Sequence, residues 1–163
     1  MKRIGIVGWK NSGKTGLTTR LIAQFKAEGL RVASLKHAHH SFNIDRPGSD
    51  SFRHREAGAD QVLVASEHRW ALMSEAPGAS ADLDALIARL APCDLVIIEG
   101  WKSAQHPKIE CHRRASEAEP LLAHSDPMIR AVASDGAPPV ACPVLPLDET
   151  AQVAAFIRGE LGF

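Results

Sequence analysis

A three-layer α/β domain with a mostly parallel sheet is the fold class this sequence predicts, and three observations predict it. An apolar run, an amphipathic stretch and a second apolar run follow one another before residue 36. That βαβ pattern implies parallel strands joined by a right-handed crossover. Leu95-Val96-Ile97-Ile98 is an unbroken aliphatic run, as expected of a central parallel strand buried on both faces. A glycine-containing loop separates the first strand from the first helix, where open α/β sheets place their ligands.

Each element has its own justification. Residues 4–7 form the first strand. Leu17, Leu21, Ile22 and Phe25 share one face of the helix that follows, and Gly29 ends it. Residues 32–35 supply the second strand. Pro47-Gly48 marks a turn before a short helix over about 51–57. Residues 61–65 and 69–73 alternate as two strands joined by Ser66-Glu67-His68, an inserted β-hairpin spanning about 61–74. Pro77-Gly78 precedes an amphipathic helix built on Leu83, Leu86, Ile87 and Leu90, capped by Asp82 or Ser80 and closed by Pro92. Weaker strand patterns cover 108–111 and 128–133, and Val153, Phe156, Ile157 and Leu161 line a last helix. No repeat or linker interrupts the chain, so residues 1–163 are expected to form a single domain.

Composition narrows the function. The 163 residues are 45% hydrophobic and 23% charged, too apolar for a disordered chain and long enough for a substantial core. No uncharged apolar run approaches about 18 residues, so no membrane span is expected, and the N-terminal apolar run is too short for a signal peptide. Three widely spaced cysteines argue against a disulfide framework or a CxxC metal site, and favour a reducing, cytoplasmic setting. Lys and Arg balance Asp and Glu at 19 each, which excludes a strongly basic nucleic-acid binder. The balance is uneven along the chain. Residues 1–60 hold 11 basic and 5 acidic side chains, a net +6, and residues 61–163 a net −6. The excess is either ordinary solvated surface or a sign that the first third meets an anion.

Gly8-Trp9-Lys10-Asn11-Ser12-Gly13-Lys14-Thr15 matches the phosphate-binding pattern G-x-x-x-x-G-K-[ST]. The glycines allow a backbone path that turns successive N–H groups inward as a nest for phosphate oxygens, and the helix N-terminus adds partial positive charge. Lys14 supplies a point charge for the β- and γ-phosphates, and the Thr15 hydroxyl suits Mg²⁺. Lys10, an additional early lysine, resembles that of P-loop proteins which work as dimers and reach a neighbouring nucleotide. The alternative is one more lysine in a basic loop. Glu99, at the carboxyl end of the central strand and followed by Gly100, is the acid expected near Mg²⁺. Asp94 begins that strand and should lie at its other end. Lys36-His37-Ala38-His39-His40, with Asp45 and Asp50 behind it, admits three readings. These are a transition-metal site, a switch-like loop whose Asp45 or Asp50 places Mg²⁺ or water, and a solvated loop.

Further motifs extend the pattern across nearly the whole chain: Asp45-Arg46-Pro47-Gly48-Ser49-Asp50-Ser51, Ala57-Gly58-Ala59, Val64-Ala65-Ser66, Arg69-Trp70-Ala71-Leu72-Met73, Glu99-Gly100-Trp101-Lys102 and Ala131-Val132-Ala133-Ser134-Asp135. With the phosphate loop and the histidine run, in this order, the sequence resembles the molybdopterin-guanine dinucleotide biosynthesis adaptor family, MobB. The resemblance implies a homodimeric, GTP-binding P-loop protein whose hairpin helps form the dimer. It also implies a role assisting the guanylyltransferase that joins GMP to molybdopterin, alongside related cofactor-biosynthesis enzymes. Carried onto this sequence, Lys10, Asn11, Ser12, Gly13, Lys14, Thr15 and Gly16 hold phosphate. Thr15, Glu99 and Asp45 serve Mg²⁺, and Lys14 and Asp45 are the catalytic candidates. Ser134 and Asp135 stand where a carboxylate can read guanine, although no Asn-Lys-x-Asp motif is present. Arg113-Arg114 meets a phosphate, a partner, or only solvent. The sequence offers no clear catalytic base and no placed arginine finger, so at most slow GTP hydrolysis is expected. Competing readings are a small P-loop metabolite kinase using Asp45 or Asp50 as base, and a metallochaperone-type GTPase.

Overall fold

The computed structural model describes all residues except 39–41, 76–81 and 117–119. The chain divides into two compact units, Met1–His37 with Leu90–Phe163, and Ala38–Arg89.

The first unit is built on a six-stranded, wholly parallel sheet. Its elements are β1 (Lys2–Val7), α1 (Lys14–Ala27) and β2 (Val32–Lys36), then β5 (Leu95–Glu99), β6 (Lys108–His112), β7 (Ile129–Ser134), β8 (Val144–Pro146) and α4 (Thr150–Leu161). The strand order is β2-β5-β1-β6-β7-β8, with Ile6 in register with Glu99 on one side and Ile109 on the other. The crossover through α1 therefore passes over β5, and β1 sits where chain direction across the sheet reverses. All strands run parallel, so Val7, Lys36, Glu99, His112 and Ser134 end on one edge, the ligand edge of such sheets.

Side-chain alternation along the strands sorts the two faces. Ile4, Ile6, Leu95, Ile97, Ile109, Ala131 and Ala133 join Leu17, Leu21 and Phe25 of α1 and Val153 and Ile157 of α4 in one core. All of β5 is buried, as its unbroken aliphatic run requires. The other face of β6 is polar. Lys108, Glu110 and His112 are buried there, each with a partner. Lys108 pairs with Asp126 at 2.6 Å, Glu110 accepts from the N–H groups of Leu122 and Ala123 at 2.9 Å each, and His112 meets Ser134 at 3.0 Å. Two 3₁₀ turns, Arg114–Ser116 and Leu122–His124, and the edge strand β8 are not among the elements expected from sequence. Pro143 and Pro146 mask β8 as a strand, and a sheet edge is where proline is tolerated.

The second unit contains α2 (Asp50–Glu56), the antiparallel pair β3 (Gln61–Ala65) and β4 (Trp70–Ser74), and α3 (Leu83–Ile87). Ser49 caps α2 by accepting from Phe52 N–H. The hairpin forms with its second strand one residue later than expected. Ser66 explains the shift: its N–H donates to the Arg69 carbonyl at 2.8 Å and its Oγ accepts from Arg69 N–H at 3.2 Å, so Arg69 belongs to the turn. Helix α3 stops before Leu90, because Arg89 N–H bonds the Leu86 carbonyl and tightens the last turn. Asp82 caps it at Asp84 N–H; Ser80 and Pro77-Gly78 lie outside the described residues.

Candidate functional site

The loop from Gly8 to Thr15 leaves the carboxyl end of β1 and enters α1. Gly8 takes φ +138° and Gly13 φ +95°, and Asn11 is left-handed at φ +63°. A Cβ on Gly8 would sit 2.4 Å from the Cys111 carbonyl and 2.7 Å from Ser12 Oγ. Only glycine lets the loop lie this close to β6. Gly13 stands at the N-cap of α1 and no side chain caps the helix, so its first N–H groups face the loop. Ser12 Oγ is buried with no hydrogen-bond partner among the described residues. A nest of this kind, with an unmatched hydroxyl inside it, fits a phosphate group.

Lys14 spans the loop, its ammonium donating to the Trp9 carbonyl. Burial lowers its pKa, the nearby cations Lys102 and Lys36 push the same way, and Glu99 opposes them. A partly desolvated ammonium of this kind binds an anion more strongly than one in bulk water. Beneath the loop, the Thr15 hydroxyl donates to Glu99 Oε1 at 2.8 Å, and Lys36 Nζ lies 3.2 Å from the same oxygen. Glu99 is 6% exposed. A threonine hydroxyl and a carboxylate joined at the helix start form a donor set of hard oxygens that fits Mg²⁺.

The remaining predicted residues belong to different elements. Lys10, Asn11 and Gly16 are exposed on the loop and the first turn of α1. Asp135 follows β7 and accepts from Arg114 N–H at 2.9 Å, with Arg113 at 3.5 Å; Arg113 also lies 3.5 Å from Asp148. Ser134 is buried, and its Oγ accepts from Gly136 N–H at 3.0 Å. Asp45 belongs to the second unit. There its carboxylate is 3% exposed and pairs with Arg55 at 3.3 Å, beside a groove of about 970 Å³ whose walls include Phe42, Ile44, Trp70 and Leu72. Of the histidine run, His37 packs on Trp101 with ring centroids 4.7 Å apart; His39 and His40 lie outside the described residues. Among the described residues, no three His, Cys, Asp or Glu side chains converge as a metal cluster.

Two residues near the loop escape sequence reasoning. Lys102 Nζ lies 3.6 Å from the centroid of the Trp9 ring, and buried Lys108 donates to the Lys102 carbonyl at 2.5 Å. Lys102 closes the Glu99-Gly100-Trp101-Lys102 motif but carries no role from it, and an apolar-flanked Lys108 looks like an ordinary strand residue.

The loop, its lysine and the Thr15–Glu99 pair at the switch point of a parallel sheet define a P-loop nucleotide-binding protein. Residues 3–135 match the family model described as MobB, molybdopterin guanine dinucleotide synthesis protein B. The chain belongs to that family. It is 38% identical over 160 residues to the molybdopterin-guanine dinucleotide biosynthesis adapter protein of Haemophilus influenzae, covering 97% of this chain and 88% of that one. Against the Escherichia coli protein of the same name, identity is 39% over 135 residues, covering 81% and 77%. The crystal structure of a MobB homolog from Bacillus stearothermophilus superposes with a TM-score of 0.76 at 29% identity, over 99% of both chains.

Proposed function

We propose that this chain is a GTP-binding adaptor of molybdenum-cofactor biosynthesis. In this reading it works as a homodimer with the guanylyltransferase that attaches GMP to molybdopterin. The names of the Haemophilus influenzae and Escherichia coli relatives supply the pathway, and one observation in this chain carries the nucleotide reading. Thr15 and Glu99 meet at 2.8 Å directly below a loop whose lysine spans it. Loop N–H groups and Lys14 hold the phosphates, and Ser12 Oγ donates into the nest. Thr15 and Glu99 would hold Mg²⁺, which when bound neutralises charge between the β- and γ-phosphates. Asp135 presents a carboxylate to the guanine edge, held in place by Arg113 and Arg114. Arg113 lies beside Gly13 of the loop with its charge shared between Asp135 and Asp148, and that pairing supports slow hydrolysis. Unpaired Cys93, Cys111 and Cys142 support a reducing, cytoplasmic setting.

The hairpin supports the dimer. Leu63, Trp70 and Leu72 of the β3–β4 pair are 61%, 68% and 41% exposed. A two-stranded sheet with uncovered apolar side chains is marginal in water, and a second copy would bury them.

Lys14→Ala tests the nucleotide reading. Removing the charge-assisted contacts should weaken GTP binding by at least about tenfold, as read by a fluorescent GTP analogue in Mg²⁺. Unchanged affinity would contradict the site. Glu99→Gln should leave nucleotide binding in place without Mg²⁺ while removing the gain that Mg²⁺ gives.

A further inference from the structure

We propose that Lys102 is a second phosphate-binding cation supplied by the chain itself, directed at the terminal phosphate of the nucleotide and so distinguishing triphosphate from diphosphate. The proposal rests on the P-loop reading and goes beyond it by naming a residue outside the loop.

Three contacts fix the backbone of Lys102 beside Glu99. Glu99 ends β5, and Gly100, at φ +88°, turns the chain sharply. Lys102 N–H closes that turn on the Gly100 carbonyl at 3.0 Å, so Lys102 stands one short turn from the Mg²⁺ candidate Glu99. The turn is also held from below. Buried Lys108 donates to the Lys102 carbonyl at 2.5 Å while pairing with Asp126 at 2.6 Å. A buried ammonium is unfavourable unless it is paired and hydrogen-bonded, and here one of its bonds fixes the backbone of this turn.

Direction comes from Trp9. Lys14, whose ammonium serves the β- and γ-phosphates in P-loop proteins, donates to the Trp9 carbonyl. Lys102 Nζ lies over the ring of the same residue at 3.6 Å, and the indole N–H is anchored on the Pro120 carbonyl at 2.7 Å. Two ammonium groups thus flank one loop residue, and the charge of Lys102 is felt at Lys14. Lys36, the other nearby cation, already pairs with Glu99. Lys102 has no carboxylate within ion-pairing distance among the described residues. A cation–π contact at a partly exposed site is a weak tie. It parks the side chain without competing with a phosphate oxygen, whose charge-assisted bond is stronger.

Fluorescent GTP and GDP analogues, titrated in Mg²⁺ into the full chain and into Lys102→Met and Lys102→Arg, test this. Methionine keeps the aliphatic stem and removes the charge. The expected result is a GTP affinity lowered about ten- to hundredfold in Lys102→Met, an unchanged GDP affinity, and recovery of most of the GTP affinity in Lys102→Arg. GDP binding by the same variant reports that the loop is intact. Equal loss for both nucleotides, or loss for neither, overturns the role of Lys102 while the P-loop reading stands. A wild-type chain that binds neither nucleotide overturns both.

Discussion

Gly8 leaves no room for any side chain. A methyl group there would stand 2.4 Å from the Cys111 carbonyl, with φ at +138°. Gly8→Ala therefore costs about 1–3 kcal/mol in backbone strain and must also push β6 away. Urea unfolding of that variant should show a stability loss of at least that size; unaltered stability would mean that the loop packs less closely on β6. Asp94 acts at the opposite end of the sheet. Arg31 donates to it through its backbone N–H, Nε and Nη2, and these bonds hold the carboxyl down to about 2. A depressed carboxylate stabilises the fold above the ordinary carboxyl range and loses that contribution as pH falls toward about 2. Acid unfolding of Asp94→Asn should lack this part of the pH dependence, and identical acid profiles would refute it. Cys111 is the buried one of the three thiols, and burial pushes its pKa up to about 12. Alkylation of the native protein should reach half-exposed Cys93 and Cys142 well before Cys111. At this scale the loop residues are legible in sequence because a backbone nest dictates glycine spacing. Lys102 and Lys108 are not, since their roles come from contacts with residues far along the chain.

Among the elements, β5 is the most fully determined by its own sequence. Leu95, Val96, Ile97 and Ile98 are completely buried, and Ile97→Ala should cost about 2–5 kcal/mol in chemical denaturation. A cost below that range would place β5 nearer the surface. Four aliphatic residues in a row can hardly do anything but fill a central parallel strand, which is why this element and its terminal Glu99 are legible. The amphipathic faces of α1 and α4 are legible for the same reason. Where local hydrogen bonding overrides periodicity, the pattern misleads. Ser66 draws Arg69 into the hairpin turn, and a tightened turn at Arg89 shortens α3. Strand β8 gets its partner from β7, a pairing no local pattern among prolines announces.

For the whole molecule, formal neutrality conceals a placed charge. Lys14, Lys36 and Lys102 come from three parts of the sequence and converge on the Glu99 edge of one parallel sheet. On the proposed nucleotide reading, Lys14 and Lys36 are the part of the +6 of the first sixty residues that stands beside the phosphates. The family and the parallel fold follow from motifs in order along the chain. The dimer is instead an inference from exposed apolar side chains on the hairpin, and light scattering should return twice the chain mass of 17.6 kDa. Trp70→Asp should shift that mass toward the monomer. A monomeric wild-type chain would remove the role given to the hairpin. Whether the loop holds a guanine nucleotide for use by partner enzymes is decided by calorimetric titration of the wild-type chain with GTP, GDP and ATP in Mg²⁺. Saturable GTP binding is expected, unmatched by ATP and weakened at least about tenfold by Lys14→Ala. Binding of ATP in preference to GTP, followed by phosphoryl transfer to a small metabolite, would contradict a guanine-nucleotide adaptor.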